Sequence, residues 1–312
     1  MLSEPISRAS IYDEIEEIWR MVYGDMHRNP APRNGFNDLL LEAETEARAA
    51  TTTVLQPHLA IFEFGLEFLA YVHIALSSED QLGPSNENTR AAWALTGSAV
   101  SFGVSIRSLV ISGLDTPARA LLRTYVEALL LCTAVLHDRA LGESYVAADT
   151  DAQILEFWHS TASPKRLHER IVAIEKKAGF DKEIIDALTK WRREEYEVLS
   201  QSSHLSYIAA ALTSLSGKLG HEEVFGPAIF GLASVHSPRT IFYAAATTWY
   251  FSRLSNSVLL GNKVGECAIV LDKENDWHQR MVAARDTLSD VMLKHWIART
   301  ESSTQIGDHV EV

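Results

Sequence analysis

In the segment GLDTPARALLRTYVEALLLCTAVLHD (residues 113–138), Arg123 and Glu127 stand one helical turn apart among Ala, Leu, Val, Tyr and Cys. Further along, in RREEYEVLSQSSHLSY (192–207), Ser200 precedes His204 by the same interval. A guanidinium can stabilise an anion, a carboxylate can orient an imidazole, and an imidazole can exchange protons near neutral pH. If the two segments face each other, His204 donates one ring N–H to Glu127 and keeps its other nitrogen for a ligand or a proton. Arg123, Glu127, Ser200 and His204 are therefore the candidate site. They are ligand-binding residues or, with His204 as general acid–base and Arg123 holding an anion, catalytic ones. The other arrangement leaves Arg123 and Glu127 as an exposed pair on a thin wet strip. SQSS then closes one helix and caps the next, with His204 at the surface.

Two helices must position these groups. Arg119, Arg123 and Glu127 fall on one narrow face of the first, and His137 returns to that face further on. Asp115 or Thr116 is expected to cap this helix, Pro117 suits its first turn, and Gly113 suits the end of the helix before. In the second, helical spacing aligns Arg193, Glu197, Ser200, His204 and Tyr207.

Helical period dominates the rest of the chain, and alternating strand patterns are absent. SIYDEIEEIWRMVYG (10–24) gathers Ile11, Ile15, Ile18, Trp19 and Val22 on one side. After the breaker NPAPRNG come helices over 36–50 and 58–76, with a bend expected near Pro57. A loop over 77–88 leads to a small-residue-rich helix over 89–112, whose neighbours can approach closely. Helices follow over 149–162, 165–179, 182–200, 239–261 and 276–299, while 218–238 is Gly-rich and irregular and 301–312 is a polar tail expected to be disordered. The expected fold is an all-α bundle of about nine or ten helices forming one domain over 1–300. Its parts are N-terminal helices over 1–76, a central bundle over 89–261 and a C-terminal helix over 276–299.

The net charge of −13 opposes a phosphate backbone or an anionic bilayer over most of the surface. The densest basic groups, Lys165-Arg166, Lys176-Lys177 and Arg192-Arg193, read as solvated helix faces. Cys132 reads as a small buried hydrophobe, and with Cys267 it forms neither a disulfide framework nor a zinc motif. The acidic start has no secretory character, and charges interrupt the longest apolar runs, so a cytoplasmic location without a membrane is expected. Glu156-x-x-His159 is half of a di-metal motif, with Glu63 and Glu67 as further carboxylates, but the second unit is missing and no metal or cofactor is expected. The aromatic run IFYAAATTWYF (241–251) reads as core, with a subunit interface as the other use for its side chain surface.

The segments ARALLRTYVEALLLCTAVL and YEVLSQSSHLS together resemble an uncharacterised family of bacterial helical proteins, a domain of unknown function. The likeness spans roughly residues 90–260. It implies an all-helical fold and marks Arg123, Glu127, Ser200 and His204; it implies no activity. A more distant likeness is to the HEPN superfamily, which implies a dimeric ribonuclease. The Arg-to-His spacing of those enzymes is met only by Arg20 and His27, and Met21 stands where they carry a polar residue. The expected function is a helical regulatory or binding module of a bacterial stress or defence system. Its partners would be a small molecule, another protein or a second copy of the chain. The alternative is an HEPN-like ribonuclease or other hydrolase using His204 and Arg123, the one case in which nucleic acid is a partner.

Overall fold

The computed structural model describes residues 8–23, 35–77, 87–204, 206, 237–259 and 274–307. Among them are eleven helices and no strand, so the chain is all-α. They are α1 (Arg8–Tyr23), α2 (Gly35–Leu76), α3 (Glu87–Ile111), α4 (Asp115–His137), α5 (Arg139–Ala147), α6 (Asp151–Ser160), α7 (Pro164–Lys177), α8 (Lys182–Ser203), α9 (Ser237–Leu254), α10 (Asn256–Leu259) and α11 (Asp276–Gly307). The count exceeds nine or ten because short corner helices such as α5 and α10 carry too few turns to display a period.

A largely apolar helix lies at the centre. α4 packs on α3, α5, α7, α8 and α9, and Leu122, Tyr125, Leu129, Leu131, Cys132, Val135 and Leu136 are all buried. α2 lies outside this group against α3, α9 and α11. The close approach expected of the small residues in α3 is found at Gly103, where a Cβ would lie inside Leu66. Gly113 ends α3 with φ 75°; its N–H bonds Val110 O at 3.0 Å and that of Leu114 bonds Leu109 O at 2.8 Å, a Schellman closure. The aromatic run of α9 is core: Ile241, Phe242, Tyr243, Tyr250 and Phe251 are buried.

Several local expectations are corrected. α2 is one helix of 42 residues that runs through Pro57, not two helices. Burial of Leu55, Leu59 and Phe62 on the same face holds the axis across the missing amide. α4 is not capped by a side chain: Leu114 is its N-cap, and Asp115 instead pairs with Arg119 at 3.1 Å. α11 continues to Gly307 through the stretch read as tail, which holds no Pro or Gly before that position. Ile15, Ile18 and Val22 of α1 are exposed.

By length and composition Glu44–Leu76, Glu87–Ile111 and Asp115–His137 are long and apolar enough to cross a membrane, and Arg123 and Glu127 do not take the last below that level. In the bundle these segments pack on one another, and Glu63 of α2 is paired with Arg107 of α3.

Candidate functional site

The polar line on α4 meets polar partners on two different helices. At 100° per residue Arg119 and His137 share an azimuth, and Arg123 and Glu127 lie about 40° and 80° round from it. The first pair accordingly reaches α9: Arg119 Nε donates to Thr240 Oγ1 at 3.1 Å, and His137 Nε2 donates to Leu254 O at 2.8 Å. The second pair reaches α8. Arg123 Nε donates to Glu127 Oε1 at 3.1 Å, Arg123 Nη2 donates to Tyr196 Oη at 2.6 Å, and that hydroxyl donates to Glu127 Oε1 at 3.0 Å. The Arg123 and Glu127 side chains each keep 23% of their surface exposed. Burial, followed by the Glu127 charge, pushes the Tyr196 hydroxyl up to about 12, so it remains a phenol at neutral pH. The trio is closed upon itself.

One turn before Tyr196 on α8, Arg192 heads a second trio of the same composition. Arg192 Nη1 and Nη2 grip Glu175 Oε1 and Oε2 of α7 at 2.6 and 3.2 Å, and Tyr250 of α9 donates to Glu175 Oε1 at 2.5 Å. Nη1 also bonds the Tyr250 hydroxyl, and Nη2 reaches Thr189 Oγ1 at 3.2 Å. Arg192 is 2% exposed and Glu175 0%. The reading of Arg192-Arg193 as a solvated pair is thus corrected for Arg192. Between the trios, His168 of α7 packs edge-on against the Tyr196 ring at 6.0 Å. Burial first, then the Arg192 charge, lowers its pKa.

The structure brings Arg123 and Glu127 together but not with Ser200 or His204. His204 is the exposed C-cap residue of α8, about 12 Å along the helix axis from Tyr196. Among the described residues no hydrogen bond, ion pair or ring contact joins its side chain to Arg123 or Glu127. The expected stripe of Arg193, Glu197, Ser200 and His204 lies about 110° round α8 from the inward line of Ile185, Arg192 and Leu199. Tyr207, His27 and Cys267 lie outside the described residues. Glu156 and His159 are exposed, Glu67 accepts the Tyr71 hydroxyl, and no cluster with metal-ligand geometry occurs among the described residues. Cys132 is buried, which pushes its thiol up and keeps it protonated.

A cleft opens where α4 turns into α5 and α7 passes alongside. It holds about 210 Å³ and is lined by Ala134, His137, Asp138, Arg170, Ala173, Ile174 and Lys177. A shallower groove shares Arg170 and Ala173 and extends it along α7 to Ser163, Lys165, Arg166 and Glu169. Asp138 pins the corner: Oδ1 accepts from Leu141 N at 3.2 Å to cap α5, and Oδ2 holds Arg170 Nη1 at 2.5 Å. His137 is buried on the cleft wall. Burial lowers its pKa; the Leu254 carbonyl opposes that and Lys177 adds to it, so the ring is neutral at pH 7.

Family models, curated proteins and solved structures were compared with the chain, and nothing matches.

Tyr196, Arg192, Glu175, Tyr250, Arg170 and Lys177 were not among the residues chosen from the sequence as a site. For two of them a signal exists. Arg192 falls seven residues after Ile185 and seven before Leu199, and Glu175 follows Leu167, Ile171 and Ile174 on one inward stripe. A charge at an apolar position in the period marks a buried ion pair better than a second polar stripe does.

Proposed function

We propose that the chain is a helical binding module, a regulatory component of a bacterial stress or defence system, that takes a small ligand in the cleft between α4 and α7 without transforming it. One observation carries this reading. The charged groups brought inward by α4 and α8 are each paired within the bundle, whereas, among the described residues, Lys165, Arg166 and Lys177 on α7 face an open cleft and groove with no carboxylate within ion-pair distance. A group already satisfied by the fold is a poor nucleophile or base; an unpaired cation beside a cavity is a recognition element. The cellular setting that fits this reading is the cytoplasm.

The hydrolase alternative required the His204 imidazole beside Arg123, and Tyr196 occupies that place. The test is a thermal-shift screen of the full chain against a metabolite panel, repeated with Lys177→Gln. The expected result is stabilisation by at least one compound that the variant loses. Turnover of a substrate, including RNA cleavage abolished by His204→Ala or Arg123→Ala, would overturn the module reading.

A further inference from the structure

The chain carries a net charge of −13, yet α7 holds five cations, Lys165, Arg166, Arg170, Lys176 and Lys177. Its two acids do not balance them. Glu175 is turned inward and fully consumed by Arg192 and Tyr250, which leaves Glu169 alone on the outer surface. Among the described residues no carboxylate lies within ion-pair distance of Lys165, Arg166 or Lys177, and Arg170 holds Asp138 through Nη1 only. Arg166, Arg170, Ala173 and Lys177 recur at four, three and four residues, a single stripe about 16 Å long with a small side chain as its gap.

Helix stability does not account for this stripe. Lys176 and Lys177 in the last turn suit the helix dipole, but Lys165 and Arg166 occupy the first turn, where positive charge opposes it and no acid is present. Four cations gathered at one cleft repel one another, and two of them also oppose the helix dipole. An anion removes the conflict.

We infer that the α4–α7 cleft binds a phosphorylated small molecule carrying two or more negative charges, held between Lys177 at one end and Arg170, Arg166 and Lys165 at the other. This rests on the cleft being the ligand site and names the ligand's class. Phosphate is favoured over carboxylate because one phosphate group gathers close to two negative charges and three acceptor oxygens at a single point, which several cations of the stripe can share, whereas a carboxylate offers one charge and two oxygens.

The test is calorimetric titration of the full chain with pyrophosphate, ADP, citrate, a single-stranded RNA oligomer and phosphatidic acid vesicles, at two salt concentrations. The control is Lys190→Gln, which removes an exposed cation on α8 paired with Glu194 at 3.8 Å. Pyrophosphate or ADP is expected to bind with 1:1 stoichiometry, more weakly at higher salt. Lys177→Gln and Arg166→Gln should each weaken binding by about tenfold, the loss of one charge-assisted hydrogen bond, and Lys190→Gln should not. The His137 ring resonances should move on saturation. Equal weakening by all three variants, or citrate binding as tightly as pyrophosphate, would overturn the phosphate assignment. So would RNA or vesicles binding where the soluble phosphates do not. If no phosphate binds but another compound stabilises the protein and Lys177→Gln abolishes that effect, the phosphate class is wrong and the module reading stands. If nothing on the panel binds, both fall.

Discussion

α8 contributes to two Arg–Glu–Tyr trios within one turn of helix, alike in composition but different in depth and in the number of helices they join. Around Arg123, the two charges come from one helix, i to i+4, and the tyrosine from another; water reaches both charges. Around Arg192, the arginine, glutamate and tyrosine come from three helices, α8, α7 and α9, and water reaches neither charge. The same chemistry is therefore a surface clasp in one place and a three-helix lock in the other. Exposed pairs are worth little because water competes for them. Buried pairs yield little net stability either, but they punish the loss of one partner severely.

The sharpest way to break the comparison is to remove one charge from each trio. Glu175→Ala or Arg192→Ala is expected to lower the stability of the fold by about 3–5 kcal/mol in urea unfolding, because the remaining charge is stranded. The double variant Arg192→Met with Glu175→Leu should recover most of that loss. If it does not, the lock also sets helix register. Tyrosine hydroxyls give the next largest difference. Tyr250→Phe withdraws a donor from a buried carboxylate and should cost about 1–3 kcal/mol, whereas Tyr196→Phe should cost less than about 1, since water can replace its bond to Glu127.

Acid provides a third contrast, through the imidazole that lies between the trios. The pKa of His168 is held below its ordinary value by burial and then by Arg192, and that of His137 by burial with Lys177 adding to it. Both rings must be neutral in the folded state, while the unfolded chain takes up protons near pH 6.5. The unfolded state thus binds more protons just below that pH. Stability should be complete above about pH 6.5 and decline as pH falls below it, until the folded-state pKa values are passed. Equilibrium unfolding from pH 8 to 5 should show that slope, and His168→Asn should flatten part of it. An unchanged slope would mean that folding does not lower the His168 pKa, either by burial or by the Arg192 charge. The smallest expected effect is Arg123→Ala, about 1 kcal/mol or less, reduced further at high salt. A loss as large as that of Arg192→Ala would erase the distinction between clasp and lock.

Much of the bundle was legible because helical period survives any tertiary arrangement. Gly113 announces the turn after α3, but composition does not put α4 at the centre, since α2 and α3 are more apolar. Pro57 and the stretch before Gly307 misled for a shared reason: local propensity is weak beside the packing of an apolar face, or beside the mere absence of a breaker. The site was half legible. Arg123 and Glu127 do pair, and the polar line of α4 does serve to dock other helices. Its partner was sought in the stripe richest in catalytic residue types, Ser200 and His204, when the contacting residue is Tyr196.

The amino-acid order determined that the chain forms helices, which of them are largely apolar, and that charges interrupt their apolar faces. It also placed five cations on one short helix of an acidic protein. Only the tertiary structure decided which charges meet, because each residue turns the helix by 100° and docking alone selects the azimuth that faces inward. That rotation buries Arg192 on Glu175, leaves His204 in solvent, and, by drawing Glu175 inward, leaves the outer face of α7 positive.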